Sequence, residues 1–167
     1  MSNLFDILGR IAFPLFCFLL VEGYFKTKNS MHYLLRLLLF GILSEVPFDM
    51  ATTASFCNEN WNNVLFSLAF VLVTLWSIDA LKAKMRQLPR WLWLLASVPI
   101  VLLMGVAAMY LSLDYEYHAI LMGYCFYLFR GKPLVACLSG YACVYTEPWS
   151  LLGFGLTLTY NGQRGKQ

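Results

Sequence analysis

Residues 91–113 read WLWLLASVPIVLLMGVAAMYLSL, twenty-three positions without one charged side chain. A helix that crosses the hydrocarbon core of a bilayer needs about 20 mostly apolar residues. A helix on a soluble protein of that length carries a polar face, and this stretch has none. The rest of the chain agrees with it. Of 167 residues, 60% are apolar and 13% charged, and the mean hydropathy is +0.64. A soluble domain carries about 25% charged residues, and a globule of this size leaves much of its surface in water. The composition therefore argues against a soluble enzyme, a disordered chain and a nucleic-acid-binding domain, and for a polytopic membrane protein. The net charge of +3 does not signal an anionic partner, because the basic residues sit between apolar runs.

Working outward from that stretch, six further spans are expected: about 5–25, 33–48, 64–81, 117–129, 134–145 and 149–159. The last two come from one apolar segment split at Glu147-Pro148, since proline disfavours helix at the residue before it. The fold expected is all-α, a membrane helix bundle of about seven transmembrane helices in a single domain, 1–167. Charge tests the count. Lys26 and Lys28 follow the first span, Lys82, Lys84, Arg86 and Arg90 the third, Arg130 and Lys132 the fifth, and Arg164 and Lys166 the seventh. Ten of the twelve basic residues thus lie after odd-numbered spans. The even-to-odd links hold Asp49, Glu59, Asp114, Glu116 and Glu147. The positive-inside rule then puts the odd-to-even links and the C-terminus in the cytoplasm and Met1 outside. The start of the chain lacks a basic n-region and a small-residue cleavage site, so no cleavable signal peptide is expected. Trp91, Trp93 and Trp149 fall near span ends, as an interfacial aromatic belt does.

The five cysteines, Cys17, Cys57, Cys125, Cys137 and Cys143, form no CxxC. Neither a disulfide framework nor a metal site is expected; small apolar filler is.

Arg10, Glu22, Arg36 and Glu45 lie inside the first two spans. An Arg or Asp at a helix centre costs about 2.5–3.5 kcal/mol on insertion scales, so each needs a reason. Arg10 and Glu22 are roughly 18 Å apart along their helix, and Arg36 and Glu45 roughly 13 Å, from the helical rise. Packed antiparallel, the two spans would pair Arg10 with Glu45 and Glu22 with Arg36. These pairs either hold two helices together or line a polar cavity. The polar set runs on through Ser44, Asp49, Asn62 and Asn63, which favours the cavity.

The blocks GRIAFPLFCFLLVEGYFKTKN (9–29), YLLRLLLFGILSEVPFD (33–49) and NNVLFSL (62–68), with the weaker TYNGQRG (159–165), resemble the TraX family of bacterial integral membrane proteins. The resemblance implies residence in the bacterial inner membrane. It also implies acetyl transfer from acetyl-CoA to the N-terminus of an F-type pilin, or to another protein or glycan acceptor. By position, its charged pattern falls on Arg10, Glu22, Arg36, Glu45 and Asp49, its amide on Asn63, and its terminal motif on Tyr160, Asn161 and Gly162. The chain is expected to lack the family's first helix, which bears an Asp-His pair, and its last, which bears an aromatic-Tyr-Pro-x-His motif.

N-acetylation needs a base for an ammonium and a donor for the oxyanion of a thioester carbonyl. Glu45 or Asp49 is the candidate base, and Arg10 the candidate for a carboxylate, phosphate or oxyanion. These three form the expected catalytic set, with Glu22, Arg36, Asn63 and Asn161 as substrate-binding residues. His32 and His118, the only histidines, fall at span edges and are expected to be solvated there. The competing class is non-enzymatic: a small-solute carrier or an assembly subunit, which paired intramembrane charges and proline-broken helices also suit.

Overall fold

The computed structural model describes residues 2–53 and 63–162. Among them are seven helices: α1 (Ser2–Lys26), α2 (Ser30–Thr53), α3 (Val64–Lys84), α4 (Arg90–Tyr110), α5 (Glu116–Leu128), α6 (Pro133–Cys143) and α7 (Ser150–Thr157). Each falls where a span was expected, and the described residues contain no strand. Three stretches are long and apolar enough to cross a membrane: Ile7–Lys26, Val64–Lys84 and Arg90–Tyr110. At 1.5 Å per residue each is about 30 Å long, the thickness of a hydrocarbon core. α2 is as long but carries Arg36, Glu45 and Asp49. α5, α6 and α7 have 13, 11 and 8 residues, and turns at their ends extend their reach.

The helices alternate in direction. At one end of the bundle Tyr24 of α1, Asp79 of α3 and Tyr127 of α5 meet. At the other end Phe13 of α1 stacks on Tyr115, just before α5, and Ser44 of α2 meets Asn63, just before α3. The odd-numbered helices therefore run one way and the even-numbered the other. The basic links 26–28, 82–90 and 130–132 collect at one end, and Asp114, Glu116 and Glu147 at the opposite end. These are called the basic and acidic ends below.

α3 and α1 supply the centre of the core. Leu68, Val71, Leu72, Leu75 and Ile78 repeat at helical spacing along α3 and are buried, the pattern of one apolar stripe turned inward. They meet Phe13, Cys17, Leu20 and Val21 of α1 and Ile120, Met122 and Phe126 of α5. The outer surface is apolar as well: Leu102, Leu103 and Val106 of α4 are 62%, 70% and 65% exposed. Contiguous exposed aliphatic side chains of this kind suit a lipid solvent and not water.

Two glycines decide who packs against whom. α1 packs against α7, α5 and α3, whereas α2 packs against α3. At Gly153 of α7 a Cβ would stand closer to the carbonyl oxygen of Ile11 than the 3.0 Å that real Cβ atoms respect. Only hydrogen fits there, and the bare backbone lets α7 lie directly on α1. Gly123 of α5 plays the same part against Val71 of α3.

Candidate functional site at the two ends of α1

The Glu147-Pro148 break does what proline before a helix does: α6 stops at Cys143 and α7 starts at Ser150. The turn between them is closed by the Glu147 amide on the Val144 carbonyl, 2.9 Å, and by the Ser150 hydroxyl on the Glu147 carbonyl, 2.7 Å. This fixes the Glu147 backbone at the acidic end, and its carboxylate forms an ion pair with Arg10. Arg10 therefore pairs with Glu147 and not with Glu45 as the sequence had suggested. The reason is the Gly153 contact, which seats α7 beside α1, while α2 is drawn to α3.

Tyr115 lies over Phe13 with ring centroids 3.4 Å apart and planes 2° from parallel, and its hydroxyl points at the Gly9 carbonyl, 3.5 Å away. Asp114 precedes it in the α4–α5 link. Burial pushes the Asp114 carboxyl up to about 6, because desolvation disfavours the charged form. Both Arg10 and Asp114 act on Tyr115: burial raises its phenol, the Asp114 charge raises it further and Arg10 opposes. The acidic end thus holds a guanidinium with its carboxylate partner and, in the α4–α5 link, a buried carboxyl raised to about 6.

Glu45 and Asn63 lie at this end as well. Asn63 is 5% exposed. Its Oδ1 caps α3 by accepting from the Leu65 amide, 3.1 Å, and its Nδ2 donates to the Ser44 hydroxyl, 2.6 Å. Its amide is thereby committed to joining α2 and α3. α2 continues through Pro47 to Thr53, so position 49 stays one turn beyond Glu45, as a shared face requires. The side chain of Asp49 and all of Asn62 lie outside the described residues.

At the basic end Glu22 accepts from Arg130 Nε at 3.0 Å and pairs with Lys26 at 3.5 Å. The expected Glu22–Arg36 pair is replaced by these two; Arg36 is exposed on α2. Arg130 also lies 4.0 Å from the centroid of the Phe25 ring. Lys26 donates to the Tyr160 hydroxyl and to the Gly162 carbonyl, the latter at 3.0 Å. The terminal motif is therefore held by α1, and Asn161 lines a cleft of about 380 Å³ with Leu15, Phe18 and Leu19. The blocks at 9–29 and 159–162, far apart in the chain, form one surface.

Four participants escaped sequence reasoning, Asp114 among them, which reads only as one of the acidic links. Glu147 reads as a helix breaker, and Arg130 as a marker of orientation. Asp79, near the end of its span, accepts from Tyr24 at 2.6 Å and from Tyr127. Its signal was a carboxylate on the last turns of an otherwise apolar helix. Among the described residues no group of three His, Cys, Asp or Glu side chains is placed to hold a metal.

The profile of a family described as TraX protein matches residues 1–167. A relative described as probable fimbrial assembly protein FimC, serogroup H1, from Dichelobacter nodosus, is 41% identical over 75 residues, 40% of this chain. The match spans 30% of the length of that relative. No solved structure matches the chain.

Proposed function

This chain belongs to the TraX family, and from that premise we propose that it is an acyltransferase of the bacterial inner membrane that acetylates a pilin-type N-terminus. The observation that carries this is the acidic end, where Arg10 pairs with Glu147 and where both Arg10 and the buried Asp114 act on Tyr115. The name of the relative, a fimbrial assembly protein, supports a pilus subunit as the acceptor. Basic links face the cytoplasm and the acidic end faces outward, in keeping with the positive-inside rule.

In this reaction the Asp114 carboxylate takes the proton of the acceptor ammonium. A carboxyl near 6 is a better base for this than an ordinary one and is still mostly ionised at neutral pH. The free amine attacks the thioester carbonyl of acetyl-CoA. Arg10, oriented by Glu147, donates to the oxyanion that forms. Collapse breaks the carbon–sulfur bond and forms the amide. The thiolate leaves and takes up the second proton of the amine nitrogen, and Asp114 releases the first to water, so one proton is liberated for each ammonium acetylated.

The alternative, an assembly subunit without catalysis, is favoured by the name of the same relative. Labelled acetyl-CoA, a pilin N-terminal peptide and the chain reconstituted in liposomes separate the two. Label on the peptide amine, lost in Arg10→Gln, is the expected result. A folded, reconstituted chain that transfers no label refutes acyl transfer.

A further inference from the structure

The basic end holds a cleft of about 430 Å³ between the end of α3, the turn into α4 and the end of α5. Its size falls within the range of about 300–1,000 Å³ typical of small-ligand sites. Lys82, Arg86 and Arg90 line it, and Phe25, Trp93 and Tyr127 form its aromatic wall. No carboxylate is among its lining residues. The walls are fixed. Trp93 is 8% exposed, and Lys82 Nζ lies 5.0 Å from the centre of its ring. Tyr127 is held by its hydrogen bond to Asp79, whose other oxygen is held by Tyr24. α4 starts at the rim with Pro89 as its N-cap and no side-chain cap. The backbone N–H groups of Arg90 and Trp91 at its start add positive potential there.

Three cations without a lining counter-ion, a helix start and a flat aromatic wall together make a receptor for one chemistry. We propose that this cleft binds a phosphate-bearing anion, with its phosphate between Lys82, Arg86 and Arg90 and its organic part against Trp93 and Tyr127. Guanidinium groups match phosphate oxygens in pairs, and an aromatic face accepts either a planar base or an aliphatic stem. The phosphate belongs to a soluble nucleotide or to a lipid headgroup. The cleft stands apart from the acyl-transfer site proposed above, whose reacting groups lie at the opposite, acidic end of the bundle.

The test uses the full chain in neutral detergent and in nanodiscs. Coenzyme A is titrated calorimetrically into the detergent sample. Retention of phosphatidylglycerol over phosphatidylcholine is read by mass spectrometry of the nanodisc sample. The cleft variant is Arg86→Gln with Arg90→Gln, both exposed. The control is Lys84→Gln with Lys132→Gln, at the same end but outside the cleft lining. Loss of two charge-assisted contacts weakens binding at least about tenfold, and the control stays within about twofold. A tenfold loss in the coenzyme A arm identifies a soluble nucleotide; a tenfold loss confined to the lipid arm identifies a headgroup; either supports the site. Equal behaviour of cleft variant and control in both arms overturns it. Should the variant unfold, phenylglyoxal modification of Arg86 and Arg90 in the unaltered chain decides. Protection by coenzyme A or phosphatidylglycerol supports the site, and protection by neither overturns it. Acetyl transfer that persists in the cleft variant, where neither ligand protects, would defeat the site and leave acyl transfer standing. Cleft-dependent binding without any transfer would do the reverse.

Discussion

Replacing Asp114 by Asn should strengthen the fold and abolish the reaction. Burial raises the Asp114 carboxyl from 3.8 to about 6. The folded chain therefore holds a proton between those two values that the unfolded chain has released. Stability falls as pH rises through this window, and the loss is complete above about 6. The ceiling is 1.36 kcal/mol per pKa unit over about two units, or about 3 kcal/mol. Asn has nearly the same shape and no charge to desolvate. At pH 7.5 the variant should be more stable by up to about 3 kcal/mol, and near pH 4 the two should coincide. Thermal unfolding followed by intrinsic fluorescence in detergent, from pH 4 to pH 8, measures the difference. Acetyl transfer in liposomes over the same range measures the other half: the wild-type rate should climb as Asp114 ionises, and the variant should stay at background. Parallel stability curves for the two proteins would refute the buried carboxyl. A variant that transfers acetyl normally would remove Asp114 as the base.

The double exchange Arg10→Glu with Glu147→Arg should preserve folding, because the pair is rebuilt in reverse, and should lose transfer by 100-fold or more, about 3 kcal/mol of transition-state stabilisation; full activity in a well-folded exchange would make the pair structural only. Gly153→Ala should drive α7 off the Ile11 carbonyl and cost about 1–3 kcal/mol, measured as a drop in Tm. The Cys125 and Cys143 sulfurs lie 3.9 Å apart, so copper phenanthroline should join them by two-electron oxidation and remove two maleimide-reactive thiols together; independent loss of the two would contradict the α5–α6 packing. Tyr127→Phe removes one of two hydroxyls on Asp79 and should cost about 1.5–3 kcal/mol, the value of a hydrogen bond to a charged group, again read as Tm.

Much of this fold is legible in the sequence because bilayer solvation is a blunt rule. The uncharged run at 91–113 announces α4, the alternation of basic and acidic links predicts the alternation of helix directions, and Glu147-Pro148 marks the gap between α6 and α7. Neighbour relations are less legible. Span one has polar residues that match span two in depth and sign, and sequence proximity makes that pairing the obvious one. The structure instead sets α1 against α7, because a single hydrogen at Gly153 opens a path for backbone contact. Hydropathy cannot report this, since these helices offer apolar surface to more than one neighbour. The candidate site follows the same division. Arg10 and Glu22 stand out as misplaced charges in any reading, but their partners, Glu147 and Arg130, pass as a breaker and an orientation marker. Asn63 has the look of a binding amide, and a buried helix cap looks no different in one dimension.

The partners of α1 have a consequence for the order in which the protein is made. Glu22 and Arg130 are 108 residues apart. At a synthesis rate of about 5–20 residues per second, the first helix waits roughly 5–20 s for the guanidinium. Lys26, one turn away, shields Glu22 meanwhile, and Arg10, with Asp6 one turn before it in the sequence, waits longer still for Glu147. During that interval α1 is a charged helix whose long-range ion pairs are still unmade, which is costly to rest alone in lipid. It must stay near the insertion machinery or the membrane surface until α7 is delivered. Assembly of this bundle is thus completed from its last helix backwards, and a ribosome stalled before residue 147 leaves the first helix without its closing partner.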